Sequence, residues 1–377
     1  MTAPSRSDVI VIGAGIVGAA CARALAREGL RVVVLDADFA GGGTTAAGMG
    51  HLVIMDDSPE QLALTALSME SWRELRSTLP VEVEYDACGT IWVAEDREQR
   101  DAVANKQAAY REHGIESEVL DAEGLYAIEP NLRSGLAGGL LVPGDAVIYP
   151  PRAALALLDD ARRHGAILRE GCRVDAIVDN GVRAGNEVLY ADIVVNAAGA
   201  ASAALTPELP IVPRKGHLAI TDRYPDFCRH QLVELGYLTS AHVMTSDSVA
   251  FNVQPRATGQ VLIGSSRELV GWDRSTNHVV LKQMLDRALQ FMPSLSRLNI
   301  IRTWTGFRPA TPDKLPLIGA WTPTRGLYVA TGHEGLGITT SLGTARLLTD
   351  LVVGRMPSID AAAYAPTRVL TSVSAGL

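Results

Sequence analysis

The chain opens with two short apolar runs that enclose a helical pattern. The β-branched run Val9–Ile12 and the run Val32–Leu35 predict buried strands. Between them, small and apolar residues recur at the spacing of one helix face: Val17, Ala20, Cys21, Ala24 and Leu25. Gly29 closes this helical pattern. The first part of the chain therefore predicts a strand–helix–strand unit of a parallel sheet.

Helical and strand patterns alternate through the rest of the chain. Helices are predicted over Leu62–Leu79, Asp96–Gly114, Pro150 to about His164, Leu281–Phe291, and a last helix that carries Ile338, Leu342, Ala345 and Leu348. Strands are predicted within Val81–Val93, over Leu136–Val142, Ala191–Gly199 and Gly326–Gly332, and in an alternating region from Gly216 to about Gly264.

Strand–glycine–helix units thus occur near the start, the middle and the end, with sheet-rich stretches between them. This order predicts a mixed α/β fold with a Rossmann-like nucleotide-binding domain built from discontinuous segments, residues 1–80, 143–215 and 303–377. A mostly antiparallel substrate domain is expected from residues 81–142 and 216–302.

The turn after the first strand has the spacing of a dinucleotide-binding motif. Gly13, Gly15 and Gly18 follow the G-x-G-x-x-G pattern, with Ala14, Ile16 and Val17 between them, and Asp36 ends the second strand. The glycines allow a tight turn, close approach of a pyrophosphate and close helix packing, while the acid can bind a ribose diol. The helix start offers amide groups and a partial positive charge to the phosphates. Dinucleotide binding is the interpretation that this context favours.

Composition and charge exclude several other classes of function. The net charge of −8 and the lack of basic runs argue against a nucleic-acid partner. The four cysteines are far apart and suggest neither a metal site nor a redox dithiol: Cys21, Cys88, Cys172 and Cys228. No apolar run reaches the ~20 residues of a membrane span, and no signal peptide is evident. A cytoplasmic protein is expected, with peripheral membrane contact left open.

Several separate motifs resemble the FAD-dependent amine oxidoreductases, which include D-amino-acid oxidase, glycine oxidase and monomeric sarcosine oxidase. They are Gly13–Gly18 with Asp36, Thr44–Met49, Val194–Gly199, Gly306–Asp313 with Leu315–Gly319, and Gly332–Gly337. They span nearly the whole chain in the family's order. Within the family, Gly332–Thr340 and Phe251–Arg256 are most similar to bacterial dehydrogenases of cyclic or secondary amino acids, of the D-hydroxyproline dehydrogenase type.

The downstream glycine turns favour FAD over NAD, because a flavin extends further from the pyrophosphate and needs close backbone approach along its ring. The residues expected to bind FAD are Gly13, Ala14, Gly15, Ile16, Val17, Gly18, Asp36, Thr44, Thr45, Ala47, Gly48, Met49, Ala198, Gly199, Gly332, Gly335, Leu336, Gly337 and Ile338. Some family members link the flavin covalently through a cysteine where this chain has Gly306, so non-covalent FAD is expected. Thr339 replaces a lysine of sarcosine oxidases, which puts a second cationic carboxylate clamp in doubt.

The resemblance implies that Arg308 clamps the substrate carboxylate, a task that suits the forked guanidinium. His51, His333 and Asn252 are further candidates for the site, each with a structural role as the alternative. Glu334 flanks the last glycine turn, where it could reach the substrate amine or line the pocket entrance.

Together these features predict an FAD enzyme that oxidises the C–N bond of a small amino acid, with oxygen or a carrier as electron acceptor. The alternative is the catalytic FAD subunit of a heteromeric D-hydroxyproline-type dehydrogenase. The sequence is compatible with both a homo-oligomer and a hetero-oligomer. An FAD-bearing RNA-modifying protein is disfavoured by the acidic charge.

Overall fold

The computed structural model describes residues 6–236 and 248–369. Its strands are, in chain order, β1 Ser7–Ile12, β2 Val32–Leu35, β3 His51–Leu52, β4 Thr90–Ala94, β5 Glu118–Leu120, β6 Gly138–Val142, β7 Ala146–Val147, β8 Ile167–Arg169, β9 Ala176–Val178, β10 Gly181–Ala184, β11 Glu187–Asn196, β12 Val212–Arg223, β13 Gln231–Glu234, β14 Ser248–Pro255, β15 Gln260–Arg267, β16 Ile300–Ala310, β17 Leu317–Ala320 and β18 Leu327–Thr331.

Several of the α-helices in the described ranges begin at residues typical of helix starts. They are α1 Ile16–Arg27, α2 Gly43–Ala47, α3 Pro59–Leu75, α4 Arg97–Glu112, α5 Ala122–Ile128, α6 Pro150–Arg163, α7 Ser202–Leu205, α8 His278–Phe291 and α9 Gly337–Val353. Ser58, Asp96 and Asn277 cap α3, α4 and α8 with side-chain oxygens that accept backbone amides, which satisfies donors that a helix start leaves open.

The first sheet has a parallel centre. Its order is β17-β18-β11-β1-β2-β8, with the β9–β10 hairpin attached to β11. β1 pairs in parallel with both β2 and β11, and β11 pairs in parallel with β18. In this register Ile12 lies opposite both Leu35 and Asn196, so the carboxyl ends of the central strands meet along one edge of the sheet. Ligands of open α/β sheets bind at such an edge.

The second sheet is mostly antiparallel and has the order β16-β12-β15-β14-β13-β4-β6-β5. β12 and β16 pair over a long stretch in which Arg214 lies opposite Arg308. The pair β13–β4 is parallel and places Val233 opposite Trp92. One side of the sheet packs on α8, where Phe251 stacks on Phe291 with ring centroids 4.2 Å apart. Burial of these apolar residues anchors the sheet.

Helices α1, α3, α6 and α9 cover the first sheet and share a large apolar core. Charged groups also join α1 to α6, because Asp160 accepts hydrogen bonds from Arg23 at 2.6 Å and Arg27 at 2.8 Å. Within residues 6–236 and 248–369, every helix is too short or too polar to cross a membrane.

The mixed α/β fold and the glycine-ended strands expected from the sequence are confirmed. The alternation over Val81–Val93 was misleading at its start, where Val81–Val83 forms a 3-10 helix and the strand begins only at Thr90. Pro80 and the left-handed Glu84 on either side of Val81–Val83 favour a turn over a strand. Part of the alternating region Gly216 to Gly264, residues 237–247, lies outside the described residues. The domain boundaries stay a prediction; those at 215/216 and 302/303 fall within β12 and β16.

Candidate active site

Three glycine turns lie together at the carboxyl edge of the first sheet. The turn after β1 contains Gly13, the turn after β11 contains Gly199, and the turn after β18 contains Gly332. All three glycines have positive φ angles, of 103°, 57° and 79° respectively. Because these conformations disfavour other residues, the glycines fix where the chain leaves each strand. The fold thus assembles one site from three distant parts of the sequence.

The turn from β1 into α1 has no room for larger residues. A Cβ atom added to Gly13 would lie 2.6 Å from the carbonyl oxygen of Ala197, and one added to Gly18 would lie 2.0 Å from that of Gly13. Gly15, the N-cap residue of α1, has no side chain to cap the helix. The close packing and the open positive end of the helix are suited to a pyrophosphate.

Asp36 stands at the end of β2 and faces this turn. One of its carboxylate oxygens accepts a hydrogen bond from the backbone N–H of Ala14 at 2.6 Å, and the other accepts one from Asp38 at 2.9 Å. The carboxylate is therefore held beside the glycine motif, where a ribose would follow the pyrophosphate.

The segment Thr44–Met49, which includes most of the short helix α2, joins the first glycine turn to the second sheet. Thr45 Oγ1 accepts the N–H of Ile16 at 2.9 Å, and Thr44 Oγ1 donates to the carbonyl of Phe307 at 2.6 Å. A Cβ atom on Gly48 would lie 2.6 Å from Ile338 at the start of α9. This segment places the nucleotide motif next to the Phe307–Arg308 strand segment.

The last glycine turn leads from Gly332 through Gly335 into α9, whose N-cap Leu336 supplies no side-chain cap. A Cβ atom on Gly337 would contact His333 at 3.4 Å and Val17 at 3.8 Å. The starts of α1 and α9 therefore lie close together, and a ligand at one can extend to the other.

A cavity with an empty volume of about 700 Å³, counted to its open mouth, lies between this turn and the second sheet. Its walls combine apolar, amide and charged side chains: His51, Val53, Met55, Asp57, Gln61, Trp92, Arg214, Gln231, Val233, Asn252, Arg267, Lys314, His333, Glu334, Gly335 and Leu336. Its size suits a small organic molecule.

Arg308 lies beside this cavity and is held on three sides. Its Nη1 donates to the carbonyl of Ser266 at 2.8 Å. A Cβ atom on Gly216 would lie 2.4 Å from the same nitrogen, and one on Gly335 would lie 3.7 Å from Nε. The guanidinium therefore lies between β12 and the last glycine turn, because glycine at both positions leaves it space.

Two buried arginines accompany Arg308, and the sequence interpretation did not include them. Arg214 Nη1 is 3.5 Å and Arg267 Nε 3.7 Å from Oε1 of Glu334. Although burial raises the pKa of the Glu334 carboxyl, Arg267, Arg308 and Arg214 lower it more, and the net direction is down. Glu334 thus stays ionised at neutral pH. We name Arg214, Arg267 and Arg308 the arginine wall.

Both candidate histidines are neutral at neutral pH. Burial lowers the pKa of His51 to about 4 and that of His333 to about 3. His333 Nε2 lies 2.9 Å from Thr344 Oγ1 of α9, which fixes its ring. Neither imidazole can supply a positive charge to the cavity, so any role is that of a hydrogen-bonding or shape-forming group.

Of the four predicted substrate residues, His51, His333 and Asn252 line the cavity and Arg308 lies at its edge. Their roles stay predictions. The sequence interpretation missed Arg214, Arg267, Lys314, Trp92, Gln231, Gln61, Asp57 and Met55. Arg214 is followed by Lys215, and Arg267 ends β15 after two serines, so neither arginine stands out from its sequence neighbours. Over the described part of the chain, no cluster of three His, Cys, Asp or Glu residues suits a metal ion.

Comparison with known proteins adds a family to this geometry. The sequence model of the family described as FAD dependent oxidoreductase (DAO) matches residues 8–351. Glycine oxidase of Pseudomonas aeruginosa is 30% identical, with 95% of this chain and 98% of that enzyme covered. D-amino acid dehydrogenase of Methylobacterium nodulans is also 30% identical, with 93% and 96% covered. The crystal structure of L-proline dehydrogenase from P. horikoshii has the same fold, with a TM-score of 0.89 at 22% identity and 98% and 99% covered.

Proposed function

The chain belongs to the DAO family of FAD-dependent oxidoreductases, and from that premise we propose that it oxidises the C–N bond of a small amino acid. The substrate would be a secondary amine or a glycine-like, D- or cyclic amino acid. The first product would be an imine, which water hydrolyses to a keto or oxo acid.

The first glycine turn fits the FAD pyrophosphate, because a side chain at Gly13 or Gly18 would collide with backbone oxygens and prevent the tight turn and close helix packing that such a site needs. The Gly13–Gly18 turn would hold the pyrophosphate, Asp36 the adenosine ribose, and Thr44–Met49 with Gly335–Ile338 the flavin end. When bound, FAD would take a hydride from the substrate α-carbon at its N5 atom.

The observation that carries the proposal is the guanidinium of Arg308, fixed between Gly216 and Gly335 at the junction of the cavity and the last glycine turn. An arginine in this place can bind a carboxylate through two parallel hydrogen bonds. It would direct the α-carbon toward the flavin end of the cofactor site, and such orientation lowers the barrier of the following step.

The other residues around the cavity would orient the substrate without a strong base. His51 and His333 are neutral, and Glu334 lies against the arginine wall, where its charge balances part of the wall's charge. This arrangement suits an amine that binds in its neutral form, because no group then has to remove a proton from an ammonium.

A substrate screen tests the proposal directly. Purified protein would be mixed anaerobically with D-, L- and N-alkyl amino acids, with 2-hydroxy acids and simple amines as controls, and the flavin absorption followed. We expect bleaching by one class of amino acid and none by amines that lack a carboxylate. Bleaching by hydroxy acids alone would contradict the proposal.

We further propose that the FAD is bound non-covalently. A Cβ atom at Gly306 would lie 2.4 Å from the Cβ of Ala47, so the position where some relatives carry a linking cysteine has no room for one. Acid precipitation should therefore release FAD into the supernatant. Flavin that stays with the precipitate would overturn the non-covalent assignment.

A second candidate is the catalytic FAD subunit of a heteromeric D-hydroxyproline-type dehydrogenase, with electrons leaving to partner subunits or the respiratory chain. Leu269, Val270 and Trp272 support it, since 46%, 40% and 53% of their surfaces are exposed on one segment directly after β15. Exposed apolar groups of this kind often mark contact surfaces. Activity with an artificial acceptor but not with oxygen, and co-purification of a partner from the native source, would favour this candidate over an oxidase.

A further inference from the structure

One face of the second sheet presents neutral polar side chains to the cavity. Trp92, Val233 and Asn252 lie opposite one another on the adjacent strands β4, β13 and β14. Gln231 precedes Val233 by two residues and so lies on the same face, because side chains alternate along a strand. Trp92, Gln231 and Asn252 all line the cavity and are only 1%, 0% and 4% exposed. We name these three residues the neutral face.

Each residue of the neutral face has a buried polar atom without a hydrogen-bond partner among the described residues. The atoms are Trp92 Nε1, Gln231 Oε1 and Asn252 Oδ1. The Gln231 amide is oriented by Nε2, which donates to Thr90 Oγ1 at 3.0 Å. Buried polar groups are nearly always satisfied in native proteins. A ligand group that supplies one acceptor and one donor would satisfy Trp92 Nε1 and one of the two amide oxygens.

The neutral face is distinct from the arginine wall on the same sheet. The wall lies on the successive strands β16, β12 and β15, whereas the face lies on the next three strands, β14, β13 and β4. Lys106 contacts the Trp92 ring, at 4.1 Å from its centroid, and its charge is paired with Asp56. The cavity thus offers charge at one end and neutral hydrogen bonding at the other.

We propose that the neutral face binds a hydroxyl group carried by the substrate beyond its α-carbon. A hydroxyl oxygen can accept the N–H of Trp92 while its O–H donates to the amide oxygen of Gln231 or Asn252. A carboxylate would lack a proton for the two amide oxygens, and a methyl group would leave all three atoms unsatisfied. This inference rests on the proposed function and narrows its substrate class to a hydroxylated amino acid, whichever electron acceptor the enzyme uses.

Matched substrate pairs test the inference on the purified holoenzyme. D-proline would be compared with both 4-hydroxy-D-proline isomers, and D-alanine with D-serine, by kcat/KM with an artificial electron acceptor. We expect one hydroxylated member to exceed its partner by about tenfold or more, because a site built for a hydroxyl strongly rejects the analogue without it. Equal values within every pair would overturn the inference while leaving the proposed function intact. A failure of every amino acid to react would overturn both.

Two variants test which residues form hydrogen bonds with the substrate hydroxyl. Gln231→Leu and Trp92→Phe each remove one hydrogen-bonding group at similar size, and each should move the hydroxylated-to-plain ratio of kcat/KM toward one. The same change at the exposed Gln283 of α8, Gln283→Leu, should leave the ratio at its wild-type value. Wild-type ratios in both neutral-face variants, with FAD content unchanged, would remove these residues from substrate recognition. A higher kcat/KM for D-aspartate or D-asparagine than for D-serine would also overturn the hydroxyl assignment.

Discussion

The two sheets of this molecule build their binding surfaces in opposite ways. The first sheet offers mainly backbone: the glycine turns after β1, β11 and β18 lie together, and side-chain atoms added at Gly13, Gly18 or Gly332 would collide with neighbouring atoms. The second sheet offers side chains, one from each of six adjacent strands, in the order Arg308, Arg214, Arg267, Asn252, Gln231 and Trp92. The first surface suits a cofactor shared by a whole family, whereas the second can change with the substrate.

Because the two surfaces are built differently, substitutions in each should change a different measured property. A change in the glycine turns or at Asp36 should lower cofactor retention. A change in the arginine wall or the neutral face should lower substrate affinity while the cofactor stays bound. The predictions below test that separation.

The largest effect is expected at Arg308. Arg308→Ala should weaken apparent substrate affinity by about 2–5 kcal/mol, because it leaves the substrate carboxylate without its partner. Arg308→Lys should recover only part of this loss, since a point charge cannot replace the guanidinium fork. The measurement is the anaerobic rate of flavin reduction against substrate concentration.

The matched control for Arg308 is Arg302, an exposed arginine on the same strand β16, 5.2 Å from the Trp304 ring. Arg302→Ala should leave saturation unchanged. FAD content should be normal in all three variants. Wild-type saturation in Arg308→Ala would remove this residue from the substrate site.

A smaller effect is expected at Asp36, on the cofactor side. Asp36→Ala should weaken FAD binding by about 1.5–3 kcal/mol, since it removes a charged acceptor for the ribose and the 2.6 Å contact with Ala14. FAD dissociation constants from fluorescence titration of the apoprotein measure this loss. Asp38→Ala, at an exposed position two residues later, is the control. Equal FAD affinity in both variants would mean that Asp36 does not contribute to FAD binding.

The same contrast explains how far the sequence alone could lead. The glycine turns, Asp36 and the Arg308 motif are short and local, so their residues carry the signal within a few positions. Arg214 and Trp92 have no such context, because their place in the cavity follows from pairing between strands far apart in the chain. Val81–Val83 was misassigned since alternation over three residues does not distinguish a strand from a tight 3-10 turn.

The last effect concerns stability rather than ligand binding, at Asp145, a buried carboxyl whose Oδ1 accepts the N–H of Ile54 at 3.2 Å. Burial raises its pKa to about 7, against the lowering effects of Thr90, Ile54, Lys106 and Arg73. In the unfolded chain the same carboxyl loses its proton near pH 4. The free energy of unfolding therefore falls as pH rises from about 4 to about 7, because the folded state holds the proton more tightly. Asp145→Asn should remove this decline.

Thermal unfolding of wild type and Asp145→Asn at pH 5 and pH 8 tests the direction of this pH dependence of stability. The variant should gain stability relative to wild type at pH 8, on the order of 4 kcal/mol at about 1.4 kcal/mol for each pKa unit, and gain less at pH 5. Asp101→Asn, at an exposed position of α4, should show no such pH dependence. A gain of the same size at both pH values would contradict the raised pKa.

The most direct test of the central claim is a binding measurement without turnover. 2-Furoate, a carboxylate with no amine to oxidise, would be titrated into holoenzyme and into Arg308→Ala with equal FAD content, and the flavin absorption band followed. A carboxylate held at Arg308 beside the flavin should perturb the band in the wild type and compete with the amino acid substrate. In Arg308→Ala its Kd should rise by about 30-fold or more. An equal perturbation with equal Kd in both proteins would contradict the account.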